Sequence, residues 1–276
     1  MAGVGRFLLS IVLVQLIEYE PSDAAQGHCV WYGVCSNDTG PLNKQLNCLY
    51  EGPALPITSD AMPILQKYCP DIAAGGVSCC NIEQLRILDK NIGTALGFLS
   101  RCPTCTDNFI KHICGMTCST SQSDYLHPAK VEPFNSTHQA IRELDYHLST
   151  TYMNTTFTSC SSVQVPSTNQ VALDLMCGEY GSVFCTPQRW FESMGDVNSP
   201  YVPFQINYIS GDEPVDGFTP YNPPVLPCNV GINVYGTNWA GWLVGDRGLA
   251  RRRVGRRRDK PAAHTPTQYV CTELRG

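Results

Sequence analysis

Residues 78–85 read SCCNIEQL and place two adjacent cysteines directly before a predicted helix. Neighbouring Cα atoms lie about 3.8 Å apart, whereas the two Cα atoms of a disulfide usually lie roughly 4.4 to 6.8 Å apart. Cys79 and Cys80 are therefore expected to bond to two different segments rather than to each other. From Asn81 to Ser100 the apolar residues recur at helical spacing, which predicts a helix. Two disulfides would then hold the beginning of that helix.

Gln84 allows two interpretations. If Asn81 is the N-cap of the helix, Gln84 occupies the third helical position, from which its amide can reach back to the backbone N–H of the cap. Alternatively, the amide belongs to a binding site. The spacing of these two residues favours the cap, and both interpretations stay open at this point.

The amino terminus indicates a secreted or luminal protein. Residues 1–24 have the pattern of a signal peptide, with the apolar run FLLSIVLVQLI at 7–17, so that the mature chain would begin near Ala25. Fifteen cysteines in such a chain predict a disulfide framework, since disulfides persist in oxidising compartments. Three sequons agree with this compartment and predict glycosylation at Asn37, Asn135 and Asn154.

The charge of the chain is divided unevenly. Residues 1–228 carry 10 Lys and Arg against 21 Asp and Glu, whereas residues 229–276 carry 9 against 3. The second segment, with its arginine run RRRVGRRRDK, is typical of a basic, disordered tail. A signal peptide contradicts a nucleic-acid-binding role for that run, so we expect no nucleic acid as a partner.

The cysteine-rich region contains motifs that resemble catalytic or metal sites. CPTC at 102–105 resembles a redox motif, and with Cys114 and Cys118 it resembles a zinc site. The redox motif would need a thioredoxin-like context and the zinc site a reducing compartment, so we interpret these cysteines as structural disulfides. The sequence contains no GxSxG, HExxH, Walker or dinucleotide-binding motif. We therefore predict neither an enzyme nor a bound metal or cofactor.

Residue spacing and helix-end residues predict the remaining elements. In chain order they are a helix after Pro103, a strand over 141–148, a helix over 149–159, a short helix over 167–178, a helix over 187–195 and a strand over 202–208. Ser167 and Gln170 have the spacing of a capping box at the start of the short helix. Residues 29–80, which are dense in Cys, Pro and Gly, are expected to be rich in loops.

Several cysteine-containing motifs, taken in order, resemble one known family. They are CVWYGVC at 29–35, NC at 47–48, SCCNIEQL at 78–85, FLSRCPTC at 98–105, HICGMTCS at 112–119, LMCG at 175–178 and PFQINY at 203–208. Together they are similar to the amino-terminal luminal domain of the Niemann-Pick type C sterol transporters. The resemblance implies a disulfide-rich α/β (α+β-like) single domain over residues 25–228. It would have several helices around a small mixed β-sheet and would bind one sterol.

The resemblance also implies which cysteines pair. Carried onto the matching positions, the disulfides of the family would be Cys29–Cys79, Cys35–Cys48, Cys69–Cys114, Cys80–Cys118, Cys105–Cys160 and Cys177–Cys185. Cys102 and Cys228 match positions that pair, in the family, with a later cysteine cluster that this sequence lacks.

A sterol-binding site follows from the same resemblance. In the family an asparagine and a glutamine hold the 3β-hydroxyl, and they match Asn47 and Gln84. The pocket wall of the family matches Trp31, Leu88, Ile113, Pro203, Phe204 and Ile206. An apolar pair that receives sterol from a carrier protein matches Leu175 and Met176. The acidic residue that the family has before its second cysteine is Val34 here.

We therefore expect the chain to bind a sterol such as cholesterol and to accept it or hand it on in intracellular sterol transport. The implied partners are a small soluble luminal sterol carrier and the membrane domain of a longer transporter. The implied location is the lumen of late endosomes or lysosomes, or of the gut surface. Nothing in the sequence resembles the membrane domain, so the chain alone would carry sterol without exporting it, and would be secreted. Two alternatives share the disulfide density: a secreted carrier of a vitamin-like ligand, and a structural ectodomain that binds no small molecule.

Overall fold

A computed structural model describes residues 27–37 and 44–226 of the chain. The predicted signal peptide and the predicted basic tail lie outside these residues. The strands are β1 (Cys29–Asn37), β2 (Gln45–Gly52), β3 (Leu55–Pro56), β4 (Val77–Ser78), β5 (Leu126–Pro133), β6 (Gln139–Leu148) and β7 (Gln205–Ser210). The α-helices are α1 (Met62–Tyr68), α2 (Pro70–Gly75), α3 (Ile82–Leu99), α4 (Pro103–Cys118), α5 (Thr150–Cys160), α6 (Leu173–Met176) and α7 (Pro187–Gly195).

Five of the strands form one mixed sheet in the order β1-β2-β6-β5, with β7 joined to β6. Neighbouring strands are antiparallel except β6 and β7, which run parallel with Tyr146 opposite Tyr208. A parallel pair needs a long crossover connection, and this one contains α5, α6 and α7. The short strands β3 and β4 form a separate pair. The structure confirms the predicted disulfide-rich domain with helices around a small mixed sheet.

The core lies between this sheet and the helices α4, α5 and α7. Tyr146 and Tyr208 have ring centroids 5.5 Å apart, and Phe191 of α7 packs 5.2 Å from Tyr208. Trp190 is fully buried and contacts Phe157 of α5 at 6.1 Å between ring centroids. In residues 27–37 and 44–226, no helix is both long and apolar enough to cross a membrane.

The two longest helices, α3 and α4, agree with the prediction. Leu85, Leu88 and Ile92 of α3 recur at helical spacing and are buried. A short connection joins α3 to α4, and the Cys80–Cys118 disulfide links the start of the first to the end of the second. The two helices therefore run in opposite directions.

Helix α7 begins and ends at the predicted residues. Thr186 is its N-cap and accepts a hydrogen bond from the backbone N–H of Arg189 at 3.2 Å, and Pro187 follows as the first helical residue. Gly195 ends the helix where it meets β7, and a Cβ atom there would overlap the carbonyl oxygen of Ile206. Glycine is required at this position because the backbones of α7 and β7 approach so closely.

Two expectations about local structure are wrong. Residues 29–80 are not mainly loop, since they form β1 to β4, α1 and α2. The short helix begins at Leu173 rather than near Ser167, and Ala172 is its N-cap. A bridge between Gln164 and Val171 closes a tight turn over the intervening residues, so the capping-box spacing serves no helix there.

Five of the six predicted disulfides are present: Cys29–Cys79, Cys69–Cys114, Cys80–Cys118, Cys105–Cys160 and Cys177–Cys185. Cys79 and Cys80 thus bond to two different segments, as expected. The sixth prediction is wrong, because Cys35 and Cys48 are not bonded to each other.

The register of β1 and β2 explains the unbonded pair. Val34 lies opposite Asn47 and Ser36 opposite Leu46, with a register shift between the two pairs. Cys35 therefore lies at an irregularity and is not directly opposite Cys48. Burial and a hydrogen bond with Cys35 raise the pKa of the Cys48 thiol to about 12, which keeps this thiol protonated at neutral pH.

Candidate functional site

A cavity of about 510 Å³ lies between α3, α4 and the segment 196–206. Ligand pockets typically have volumes of about 300 to 1,000 Å³. All the residues that the resemblance assigned to the sterol site and the transfer surface contribute to its wall: Trp31, Asn47, Gln84, Leu88, Ile113, Leu175, Met176, Pro203, Phe204 and Ile206. The fold therefore brings together residues that are widely separated in the sequence.

Gln84 acts as part of a helix cap and also lies in the cavity wall. Its Oε1 accepts hydrogen bonds from the backbone N–H of Asn81 at 3.1 Å and of Gly33 at 2.8 Å. The side chain of Asn81 accepts from the backbone N–H of Gln84, which completes the capping box. The Nε2 atom of Gln84 is buried and has no hydrogen-bond partner in the described part of the chain. The carbonyl of this amide is therefore in use, while its two N–H donors are available.

The backbone of Gly33 sets the direction of one of these hydrogen bonds. Gly33 has a φ of 78°, in the left-handed region, and lies within the irregular pairing of β1 with β2. Glycine adopts this conformation at little cost because it has no Cβ. The bend directs the N–H of Gly33 to Gln84 rather than along the sheet.

Asn47 is the second amide of the cavity wall. It lies on β2 opposite Val34, is 8% exposed, and its side chain makes no hydrogen bond to another described residue. The amide offers both a donor and an acceptor. Because Val34 is apolar, it provides no polar group to compete for them.

Trp31, Asn47 and Gln84 are buried residues of the cavity wall, and we call the part of the cavity that they line together with Thr117 the closed end. Trp31 is 1% exposed, and its indole N–H donates to the carbonyl oxygen of Thr117 at 3.1 Å. The ring of Trp31 also packs against Phe204, with 5.7 Å between ring centroids. These contacts join β1, α4 and the segment before β7 into one rigid wall.

The opposite end, which we call the open end, is bordered by Leu175, Met176 and Tyr201. Leu175 is 51% exposed and Tyr201 is 50% exposed, whereas Met176 is half-buried. One member of the 175–176 pair is thus exposed. The open end therefore presents apolar side chains to solvent at the edge of the cavity.

Residues 196–204 border the cavity and form the mouth segment. Lys44 donates hydrogen bonds from Nζ to the carbonyl oxygens of Val197 and Ser199, the second at 2.7 Å. The side-chain amide of Asn91 on α3 donates to the carbonyl oxygen of Tyr201 at 2.7 Å. The mouth segment contains no cysteine, so hydrogen bonds from neighbouring segments hold it in place.

Some residues of the cavity wall were not identified from the sequence. On α3 and α4 these include Asn91, Ala95, Phe98, Phe109, His112 and Met116. Most could have been found from helical periodicity, since residues three and four positions from Leu88 and Ile113 share a face of the helix. Tyr201 lies in the mouth segment, where no periodic pattern marks it.

His112 is the one imidazole of the cavity wall in the described residues. It is 2% exposed, and burial lowers the pKa of its ring to about 4, with the backbone of Phe109 opposing the shift in part. The ring is therefore neutral at neutral pH. No group of three or more His, Cys, Asp or Glu side chains within residues 27–37 and 44–226 has the arrangement of a metal site.

Two of the three predicted glycosylation sites can be located. Asn135 and Asn154 are both exposed, so their side-chain amides are accessible. The side chain of Asn37 lies outside what the structure describes. Modification at these sites stays a prediction.

Comparison with known proteins identifies the family. The model of a family described as the Niemann-Pick C1 N terminus matches residues 26–234. The NPC intracellular cholesterol transporter 1 of Sus scrofa is 36% identical over 211 residues, which cover 74% of this chain and 16% of the relative. The NPC1-like intracellular cholesterol transporter 1 of Homo sapiens is 32% identical over 241 residues, covering 83% of this chain and 18% of the relative. The NPC intracellular cholesterol transporter 1 homolog 1b of Drosophila melanogaster is 32% identical over 209 residues, covering 70% of this chain and 16% of the relative.

This chain spans less than a fifth of the length of these relatives. The matched region nevertheless includes every described residue of the cavity wall, from Trp31 to Tyr208. The family model covers about three quarters of the chain. The chain belongs to the Niemann-Pick C1 N-terminal family.

Proposed function

We propose that this domain binds one sterol, such as cholesterol, in the cavity between α3 and α4 and passes it on in intracellular sterol transport. The observation that carries the proposal is a pair of amides at the closed end of a largely apolar cavity: the side chain of Asn47 and the Nε2 group of Gln84 make no hydrogen bond to a described residue. A sterol has a rigid apolar body and a hydroxyl at one end. Such a ligand matches both the apolar wall and the position of the polar groups.

The hydrogen bonds already made by Gln84 limit how a hydroxyl could bind. Because its Oε1 accepts from Asn81 and Gly33, Gln84 would donate from Nε2 to the oxygen of the hydroxyl. The carbonyl of Asn47 could then accept the hydroxyl hydrogen. A buried donor without a partner costs about 1 to 3 kcal/mol, and a bound hydroxyl would remove that cost.

The orientation of the ligand follows from this arrangement. With its hydroxyl at the closed end, the sterol would extend its tail towards Leu175, Met176 and Tyr201 at the open end. The exposure of Leu175 supports a role in receiving sterol from a small soluble luminal carrier. The relatives that extend beyond this region are named cholesterol transporters, which supports transfer to a membrane domain. The proposed location is the lumen of late endosomes or lysosomes, and the proposed role involves no catalysis.

Binding of tritiated cholesterol to the secreted full chain tests the proposal, with Gln84→Ala compared with Asn81→Ala. Each variant breaks the capping box, but Asn81→Ala keeps the cavity amide and the backbone N–H that orients it. We expect Gln84→Ala to weaken binding about tenfold or more, the loss of one well-placed hydrogen bond to a buried group. We expect Asn81→Ala to lower stability by about 1 kcal/mol, as for other N-cap residues, and to change binding less than threefold.

The comparison separates the two roles of Gln84. An equal loss of binding in both variants would assign Gln84 to the helix cap alone. Absence of cholesterol binding by the wild-type chain would contradict the proposed function as a whole.

A further inference from the structure

His112 is a buried polar residue of the cavity wall that takes no part in the proposed hydroxyl site at Gln84 and Asn47. It lies on the third turn of α4, among the rings of Phe109, Phe191 and Tyr208. The ring centroids of these residues lie 5.4, 5.3 and 6.3 Å from that of His112. Aromatic rings therefore surround much of the imidazole, and none of them is a strong hydrogen-bond partner for its nitrogens.

The Nδ1 atom of His112 is fully buried and faces the backbone of Phe109 without a well-aligned hydrogen bond, and Nε2 makes no hydrogen bond to a residue that the structure describes. The neutral imidazole has one N–H donor and one nitrogen acceptor. Buried polar groups in folded proteins normally have partners, and one that lacks them calls for an explanation. A polar group of a ligand in the cavity would supply the missing partner.

The position of His112 along α4 indicates which part of a ligand it would face. His112 precedes Thr117 of the closed end by five residues, a distance of about 7.5 Å along the helix axis. The Cys80–Cys118 disulfide holds this end of α4 beside the start of α3, where Gln84 lies. His112 is therefore beside the fused rings of a sterol whose hydroxyl is at Gln84.

We propose that the cavity recognises a second oxygen, carried on the ring system of the sterol, through His112. The ligand class is then the ring-oxygenated sterols, such as those with a hydroxyl or keto group at carbon 7. Either group suits a neutral imidazole, because a keto oxygen accepts from its N–H and a hydroxyl can pair with either nitrogen. This inference rests on the proposed sterol-binding function of the cavity.

Competition against tritiated cholesterol on the secreted full chain tests this specificity. The competitors are unlabelled cholesterol, 7-ketocholesterol, 7β-hydroxycholesterol and 25-hydroxycholesterol, the last of which carries its second oxygen on the tail. We expect the two 7-oxygenated sterols to bind about five- to tenfold more tightly than cholesterol, as one additional buried hydrogen bond would allow. The ratio of affinities is the readout, so general losses of stability or binding cancel.

Three variants assign the preference to His112. In His112→Leu the affinity for the 7-oxygenated sterols, divided by the affinity for cholesterol, should fall to about one or below. Any gain in affinity that 25-hydroxycholesterol draws from its tail oxygen should stay. His112→Gln keeps a hydrogen-bonding side chain and should retain most of the preference. The matched control is His147→Leu, since His147 is also buried, at 6% exposed, but stacks on Phe218 outside the cavity wall. It should leave the ratio unchanged.

The outcomes distinguish this inference from the function on which it rests. Equal affinity of the wild-type chain for cholesterol and both 7-oxygenated sterols would overturn the role of His112 and leave sterol binding intact. A preference that survives in folded His112→Leu would do the same. If His112→Leu is not secreted, a preference that is lost in His147→Leu but kept in full in His112→Gln overturns the role of His112 as well. Absence of binding by all four sterols would overturn both proposals.

Discussion

The closed and open ends of the cavity differ in the interactions that hold them. At the closed end, the disulfides Cys29–Cys79 and Cys80–Cys118 join β1 and α4 to the start of α3. The open end is bordered by the mouth segment, which contains no cysteine and is held by hydrogen bonds from Lys44 and Asn91. The closed end is therefore held by two disulfides, while the mouth segment of the open end can move by exchanging protein hydrogen bonds for hydrogen bonds to water.

This difference agrees with what each end would have to do. Recognition of a hydroxyl needs donors and acceptors at fixed distances, because a misaligned hydrogen bond is weak. Uptake and release of a rigid apolar ligand need an opening that can widen. The side chain of Asn47 and the available Nε2 group of Gln84 lie at the closed end, and the exposed side chain of Leu175 lies at the other.

Removing one disulfide at each end is the strongest way to test this comparison. The Cys80–Cys118 bridge spans 38 residues of sequence and the Cys177–Cys185 bridge, next to Leu175, spans 8. From chain entropy we expect the free energy of unfolding to fall by about 4 kcal/mol for the first pair and about 2.5 kcal/mol for the second, when each is replaced by serine. Urea unfolding of the two double variants measures both values. An equal loss would show that the ends are not held differently.

Truncation of one leucine at each end sharpens the contrast. Leu88 is 4% exposed in the wall formed by α3, and Leu88→Ala should cost about 2 to 3 kcal/mol of stability through lost packing. Leu175 is half-exposed, and Leu175→Ala should cost less than about 0.5 kcal/mol of stability, as surface changes usually do.

If Leu175 serves transfer, Leu175→Ala should slow sterol exchange between the domain and vesicles containing cholesterol, at nearly unchanged thermal stability. Normal exchange by Leu175→Ala would remove the open end from the transfer route.

The pH dependence of stability tests the part of the cavity between the two ends. Because the folded-state pKa of His112 is about 4, the unfolded chain, whose histidines titrate near 6.5, takes up a proton first as the pH falls. The contribution of neutral His112 to the free energy of unfolding is therefore fully present above about pH 6.5 and is lost as the pH falls towards 4. Between pH 7.5 and pH 5 the loss amounts to about 2 kcal/mol.

Urea unfolding at pH 7.5 and pH 5 measures this loss in the wild-type chain and in His112→Leu. The decrease should be smaller in the variant by about 2 kcal/mol, since leucine does not titrate. His147→Leu is again the control. Burial also lowers the pKa of His147, so its variant should change the decrease in the same direction but by less, because that ring is less buried. A wild-type decrease that His112→Leu leaves unchanged would contradict the buried, neutral state of His112.

Local signals predicted those elements that local interactions stabilise. Helix α7 begins at Pro187 and ends at Gly195 as predicted, because the Thr186 cap, the first-turn proline and the final glycine are all close in sequence. The capping-box spacing of Ser167 and Gln170 gave a wrong prediction. An antiparallel bridge joins Gln164 and Val171, so the residues between them form a turn instead of a helix start. The short strands before α3 were missed because their hydrogen bonds join distant segments.

The candidate site shows the same division. The family resemblance was sufficient to name ten wall residues, and the fold places all of them around one cavity. It could not indicate that Cys35 and Cys48 are not joined by a disulfide, because their relative position depends on a register shift between β1 and β2. Nor did the resemblance point to His112, which became notable through its burial among aromatic rings with no well-aligned hydrogen bond to its Nδ1 atom in the described part of the chain.

The sequence by itself determined the helices α3, α4 and α7, the separate partners of Cys79 and Cys80, and the presence of an amide at Gln84. Spacing, helix-end residues and the minimum span of a disulfide are local properties, so they can be read without the fold. The tertiary structure decided which half of the Gln84 amide remains available, because the N–H of Gly33 comes from a distant strand and occupies the carbonyl. Hydrogen-bond partners that are far apart in sequence are assigned when the chain has folded, and they determine what is left to bind a ligand.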